Sequence, residues 1–208
     1  MWKLANVKMC FAGKLCGSVP LKKEIVSSWL EARMPKEKPE DGKSIEEIKQ
    51  EVLESIEDIQ EKVTLGFQNN PKGLVVRSGT IKAHLKDCSN QIKDSVKPQI
   101  KAFRSKVANK LYVKEYWIHL NRDGNAINEA DGEFDQPVHV MTAQGPRNAL
   151  KTIRYVEQAT LEFTLMLLED KEITEEVIEK VFEYGSVHGY GGERGMGEGR
   201  YSYEIEWV

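Results

Sequence analysis

The chain has 208 residues, a formal net charge of −3, and 40% apolar and 30% charged residues, the proportions of a globular domain with room for an insertion. No apolar run approaches the ~18 residues of a membrane span, and the opening Met-Trp-Lys-Leu-Ala-Asn carries no apolar leader stretch, so no membrane partner is expected and the location reads as cytoplasmic. Three cysteines, Cys10, Cys16 and Cys88, without a C-x-x-C pair, argue against a disulfide framework and a cysteine-rich zinc site.

In chain order, Val7, Met9 and Phe11 alternate as in a half-buried strand, and 13–20 reads as a loop. Residues 22–33 have a helical pattern, followed by a polar, proline-punctuated connector over 34–42. Ser44 and Glu47 then form a capping-box pattern ahead of the stripe Ile45, Ile48, Val52, Ile56, Ile59, Val63. The organisation is therefore one domain over 1–208 with a helical insertion over 21–63. Next come an apolar strand over 73–77 and a helix for which Thr80 is the expected N-cap, with Ile81, Leu85, Cys88 and Ile92 on one face and Lys82, Lys86 and Lys93 on another. A second helix is expected to turn Val96, Ile100, Phe103 and Val107 inward and to present Lys97, Lys101 and Arg104. Residues 111–120 read as a strand, 121–135 as a turn-rich hairpin, and 138–151 as a segment with a Gly-Pro turn followed by Arg147, Lys151 and Arg154. Leu161, Phe163, Leu165 and Leu167 alternate as a strand. Thr174 caps a helix, Ile173 and Ile178 staple it, and Gly185 is its expected end.

Charge is unevenly spread along this order. Residues 36–62 carry ten acidic and five basic side chains, whereas 64–122 carry twelve basic and three acidic ones. One stretch repels phosphate and the next attracts it.

The last twenty-odd residues are the most distinctive. Seven glycines fall between Gly185 and Gly199, and an alternating strand, Tyr201-Ser-Tyr-Glu-Ile-Glu-Trp207, follows. Dinucleotide fingerprints and Walker loops run from strand to helix; this loop runs from helix to strand, so no nucleotide cofactor is expected. The glycines offer backbone amides to a phosphate, with Arg194 and Arg200 as charged partners, and the helix start beside Arg77 and Lys82 offers a second anion site.

The pairing of Val-Val-Arg-Ser-Gly-Thr-Ile-Lys-Ala-His-Leu-Lys (75–86) with Phe-Glu-Tyr-Gly-Ser-Val-His-Gly-Tyr-Gly-Gly-Glu-Arg-Gly-Met-Gly-Glu-Gly-Arg-Tyr (182–201) resembles the RAMP superfamily of CRISPR-associated proteins. In that superfamily a strand enters a Gly-Ser-Ser-Leu-Lys-Gly type helix start, and a later helix leads into a glycine-rich loop ending Arg-x-x-Gly-x-Gly-Arg. Here the first block has its Ser and Gly order altered and Ala83 in place of the second glycine, while Arg194, Gly197, Gly199 and Arg200 fall in the family's order. The resemblance implies an α+β fold with a ferredoxin-like, RRM-related antiparallel sheet. It also implies the role of a non-catalytic backbone subunit that oligomerises along a single-stranded guide RNA within an effector complex, beside copies of itself, other subunits and target nucleic acid. On that carry-over Lys82 and the 194–200 loop contact phosphates, and 136–151 is a thumb tipped near Met141. Together with the helix-start anion site and the two basic helix faces, which read as a phosphate track, the candidate RNA-binding residues are Arg77, Ser78, Lys82, Lys86, Lys101, Arg104, Met141, Arg147, Lys151, His188, Gly189, Gly191, Arg194, Gly197 and Arg200. No metal is expected.

Two other classes compete. Some relatives cut RNA with a histidine, which makes His84 and His188 the candidates here for an endoribonuclease pair. A phage- or plasmid-borne single-strand-binding or inhibitor protein could also use such a fold. Tyr112, Tyr116, Trp117, Tyr190 and Tyr201 are candidate stacking platforms, although core positions are expected for most of Trp117, Phe163, Tyr203 and Trp207.

Overall fold

Alternation sets the centre of the molecule. In the computed structural model, which describes residues 1–21, 63–142 and 145–208 except the side chains of 63, 138–142 and 145–149, strand β1 (Trp2–Cys10) buries Ala5, Val7 and Met9 on one face. The insertion expected over 21–63 lies, from residue 22 to 62, outside the described residues. Downstream of β1 come β2 (Lys14–Cys16), β3 (Val19–Pro20), β4 (Val63–Gly66), β5 (Gln68–Asn70) and β6 (Gly73–Arg77). Helices α1 (Ser78–Gln91) and α2 (Phe103–Lys110) follow, then β7 (Leu111–Val113), β8 (Trp117–Arg122), β9 (Asn125–Ala126), β10 (Gly132–Thr142), β11 (Gly145–Glu157), β12 (Thr160–Leu168), α3 (Glu175–His188) and β13 (Ser202–Trp207).

Two sheets result. The larger has the order β13-β1-β12-β8-β6-β5, and β13, β1, β12 and β8 are antiparallel neighbours throughout. With α1 between β1 and β8 and α3 between β12 and β13, this is the fourth-first-third-second strand order of a ferredoxin-like βαββαβ core. The α+β class read from the sequence holds. The second sheet runs β10-β11-β4-β3, with β2 also paired to β11.

All three described helices cover one face of the larger sheet. Ile81, Leu85 and Cys88 of α1, Phe103 and Val107 of α2, and Ile178, Val181 and Phe182 of α3 share one core with Val7, Met9, Leu161, Leu165 and Leu167. Thr174 caps α3 by accepting from the Val177 amide at 3.4 Å, and Ile173 and Ile178 are both fully buried as a staple requires. No described helix is long and apolar enough to cross a membrane.

Several local expectations are corrected. The 13–20 stretch contains β2 and β3, and Val63, assigned to the end of a helical stripe, opens β4. Thr80 does not cap α1: Arg77 is the N-cap residue, and the Thr80 hydroxyl instead donates to the Arg77 carbonyl at 2.6 Å. The second helix starts at Phe103 rather than near Val96, because Pro98 has no amide to donate and disfavours helical backbone at Lys97. Val96 and Ile100 are nevertheless buried. The strand over 111–120 breaks into β7 and β8 where the Glu115 carboxylate accepts the Thr164 amide at 2.8 Å, in place of a ladder partner. Gly145 and Pro146 lie inside β11, paired with Thr142 and Met141.

Helix α3 runs through Gly185 to His188 instead of ending at Gly185. Gly185 sits where α3 crosses α1, and a Cβ built on it would lie 2.4 Å from the Tyr201 hydroxyl and 2.9 Å from His84 Nε2. Replacing Gly185 by Ala should therefore cost about 1–3 kcal/mol of stability through overpacking. Urea unfolding of G185A checks this; a wild-type midpoint would contradict the packing described.

Candidate nucleic-acid interface

The segment after α3 is held by backbone contacts that exclude side chains. Gly189, Gly191, Gly197 and Gly199 have φ of 83°, 91°, 86° and 74°. A Cβ at Gly199 would lie 1.9 Å from the Tyr190 carbonyl oxygen, and one at Gly191 2.7 Å from that of Cys16. At both positions glycine is required by close approach as well as by conformation, and Gly189, whose Cβ would lie 2.5 Å from the Glu198 carbonyl oxygen, is a third. The Tyr190 amide donates to the Gly199 carbonyl (2.8 Å), Gly199 to Lys14 (2.9 Å) and Gly192 to Cys16 (2.8 Å), so the loop closes on itself and on β2.

Part of the loop's backbone is therefore already engaged within the protein. The N–H groups of Gly189, Tyr190, Gly192, Met196, Gly197, Gly199 and Tyr201 all donate to carbonyls of the protein. These contacts fix the path of the loop and place its side chains.

Those side chains face an open groove of about 480 Å³ between the glycine loop and the second sheet. Ser18, Leu65 and Lys151 line one side, and His188 with 191–195 the other. Lys151, on β11, is ion-paired to Glu193. Arg194 starts a short 3-10 turn (Arg194–Met196), lies 2.9 Å from His188 Nε2 and 3.3 Å from Asp87 Oδ2 of α1, and Asp87 is also 3.4 Å from His188. The His188 ring is stacked on Tyr184, with centroids 5.3 Å apart. Of the residues named from the sequence, the fold thus brings Lys151, His188, Gly191 and Arg194 to one groove.

The others lie elsewhere or outside the described side chains. Lys82 sits with Nζ 3.6 Å from the Tyr112 ring centre, and burial, then the neighbouring Lys86, hold its pKa below the ordinary lysine value. Arg77 is buried at the end of β6, and the Ser78 amide donates to the Tyr116 carbonyl (3.0 Å). Lys86 is half-buried on α1, while Lys101 and Arg104 are exposed at the start of α2. Gly189 is enclosed, and Gly197 and Arg200 are exposed at the rim of the loop. Met141 and Arg147 pair with Pro146 and Val140 near the tip of the β10–β11 hairpin, which spans the expected thumb; their side chains are outside the described ones. Tyr190 and Tyr201, considered as stacking platforms, are core residues at 5% and 6% exposure.

Sequence reasoning missed Glu193 and Asp87. An acid amid glycines and arginine was visible, but the Lys151 partner lies 42 positions away and is brought near only by the second sheet.

His84 and His188 lie near each other. Their rings stack with centroids 6.4 Å apart, and His84 Nε2 is hydrogen-bonded to the Tyr201 hydroxyl at 3.0 Å. Burial, then the positive charge of Arg194, lowers the His84 pKa to about 3. Cys88 packs 3.7 Å from His84 Nδ1, and burial raises its thiol to about 12. Among the described residues no three His, Cys, Asp or Glu side chains converge as a metal would require. The sheet face opposite the helices is acidic: Glu115, Glu162, Glu204 and Glu206 surround Lys8 and Asn6 in a depression of about 430 Å³.

No protein-family model matches the chain, and no curated protein sequence matches it. Among solved structures it is similar to a chain of the type III-B Cmr-beta complex bound to cognate target RNA, with 10% identity and a TM-score of 0.47 over 100% of this chain and 61% of that one. It is also similar to a chain of a type IV-B CRISPR complex, with 9% identity and a TM-score of 0.47 over 98% of this chain and 90% of that one. The protein thus spans 61% of the length of the first of these chains. With TM-scores below one half, the functional reading rests on the groove's own residues.

The buried histidine gives a pH signature. In the unfolded chain His84 takes up a proton as pH falls through about 6.5, whereas the folded state refuses it until about 3, so stability drops as pH falls across that window. Between pH 7 and 5 the wild type should lose about 2 kcal/mol more than His84→Gln, from ~1.4 kcal/mol per pH unit below 6.5. Urea titrations of both proteins at the two pH values check this, and parallel losses would contradict it.

Proposed function

We propose that the protein binds single-stranded RNA, without cutting it, in the groove between the glycine loop and the second sheet. The observation that carries the reading is the convergence of Lys151 and Arg194 on one open groove from elements far apart in sequence. Single strands are held by cations tracking the phosphates and by side chains that stack or wedge between bases. Here Lys151 and Arg194 supply the charge, and the His188 ring, backed by Tyr184, supplies a flat edge in the groove.

Two further observations support the choice of surface and of chemistry. The acidic open sheet face opposes a polyanion, so strand binding there of the RRM kind is disfavoured by charge. His84 has its Nε2 engaged by Tyr201 and is buried, so it is a poor general base; His188 lies between a carboxylate and a guanidinium rather than beside a second histidine with free nitrogens.

The resemblance of 75–86 and 182–201 to RAMP blocks extends this reading to a guide-RNA backbone subunit working in copies within a CRISPR-type complex. In that role the β10–β11 hairpin is the thumb. The exposed Trp2, Leu4 and Leu168, with Tyr112 against Trp2 at 5.8 Å, form an apolar end of the sheet suited to a neighbouring subunit.

Fluorescence-anisotropy titration with a labelled single-stranded RNA tests the reading. Lys151→Ala with Arg194→Ala should weaken binding about 10- to 100-fold and reduce the slope of log K against log salt by about 1.4, at ~0.7 per phosphate contact on a single strand. Lys82→Ala should do less, because its ammonium is docked on Tyr112. Unchanged affinity and slope in the double variant would contradict the assignment.

A further inference from the structure

Both groove cations are already neutralised by the protein. Lys151 meets the Glu193 carboxylate, and Arg194 meets that of Asp87 at 3.3 Å. The two pairs differ in character. Lys151 and Glu193 are only 23% and 10% exposed, whereas Arg194 and Asp87 are 36% and 42% exposed, so water screens the second pair far more than the first.

Glu193 is also held in a backbone conformation that non-glycine residues avoid, with φ 53° and ψ 26°. Its neighbours are Gly192, whose amide is tied to Cys16, and Arg194, at the start of the 3-10 turn to which the Glu193 carbonyl contributes by accepting from Met196 at 2.9 Å. A glycine at 193 would relieve the backbone; what the glutamate adds is a carboxylate on the groove wall against Lys151.

We infer that Glu193, assisted by Asp87, is a specificity-determining residue: its carboxylate stands where a strand phosphate would pair with Lys151, and it restricts the groove to ligands carrying several phosphates. The inference rests on the RNA-binding reading and deepens it. A ligand with one phosphate exchanges one ion pair for another and gains little. On a strand, once one phosphate has displaced a carboxylate, the next is delivered intramolecularly at high effective concentration, and both displacements are then favoured together. The paired acids also keep the groove from collecting free phosphate or mononucleotides, which is discrimination by an opposing charge.

The test compares wild type, Glu193→Gln, Glu193→Asp and Asp87→Asn for binding of a 12-nucleotide single-stranded RNA and of a mononucleotide, with thermal unfolding as the control for folding. Gln keeps the shape of Glu193 and removes its charge. E193Q should tighten mononucleotide binding about tenfold and RNA binding by less, because a phosphate then meets Lys151 without first displacing a carboxylate. Asp87→Asn should act the same way more weakly, and E193D should stay near wild type. Equal or weaker RNA binding by a folded E193Q, with wild type binding normally, would overturn this inference and leave the RNA-binding reading standing. Failure of wild type and all variants to bind RNA would overturn both.

Discussion

The rest of the structure depends on the approach of two glycine-loop strands, at Tyr190 and Gly199, to each other and to β2. Tyr190 donates to Gly199, Gly199 donates to Lys14, and Gly192 donates to Cys16, each at 2.8 to 2.9 Å. Only residues without Cβ allow that spacing at Gly191 and Gly199. Once the loop is fixed there, Tyr190 and Tyr201 are driven into the core beside Phe11, where the Tyr190 hydroxyl meets Thr80 at 2.6 Å and that of Tyr201 meets His84. The loop therefore links β2, α1, α3 and β13. Arg194 reaches the groove from a loop pinned on both sides of it, at Gly192 and at Gly199.

Much of this order was legible in the sequence because it rests on local pattern. Alternation gave β1 and β12 their buried faces, and the Ile173-Thr174-Ile178 triplet marked the start of α3 for reasons confined to one helical turn. Where tertiary contacts decide, the reading failed. Thr80 has the chemistry of a cap, but its hydroxyl serves the Arg77 carbonyl and Tyr190. Gly185 reads as a helix end, yet it is a crossing point at which α1, α3 and Tyr201 leave no room for a methyl group. The glycine loop was recognisable as a backbone device, but several of its amides pair with carbonyls of β2, of α3 and of the loop itself, which sequence does not reveal.

The same distinction applies to the charges. A count along the chain emphasises the cations of 64–122, and the fold disperses them: Lys82 packs on Tyr112, Lys106 pairs with Glu172, and Lys110 pairs with Asp170. The cations that do converge, Lys151 and Arg194, come from outside that stretch. Their carboxylate partners make the groove close to neutral before any ligand arrives, so the local charge of the site is set by competition between acids of the chain and phosphates from outside. A net charge of −3 is thus compatible with a nucleic-acid groove, because what matters is which ion pairs a phosphate can exchange.

The most direct measurement of the central claim is a cross-linking footprint. The protein is bound to a single-stranded RNA containing photoreactive uridines, irradiated, digested and mapped by mass spectrometry. The account predicts cross-links in 184–200 and 145–157, on the two walls of the groove. Cross-links concentrated instead on β1, β12 and β13, over the acidic sheet face, would contradict it.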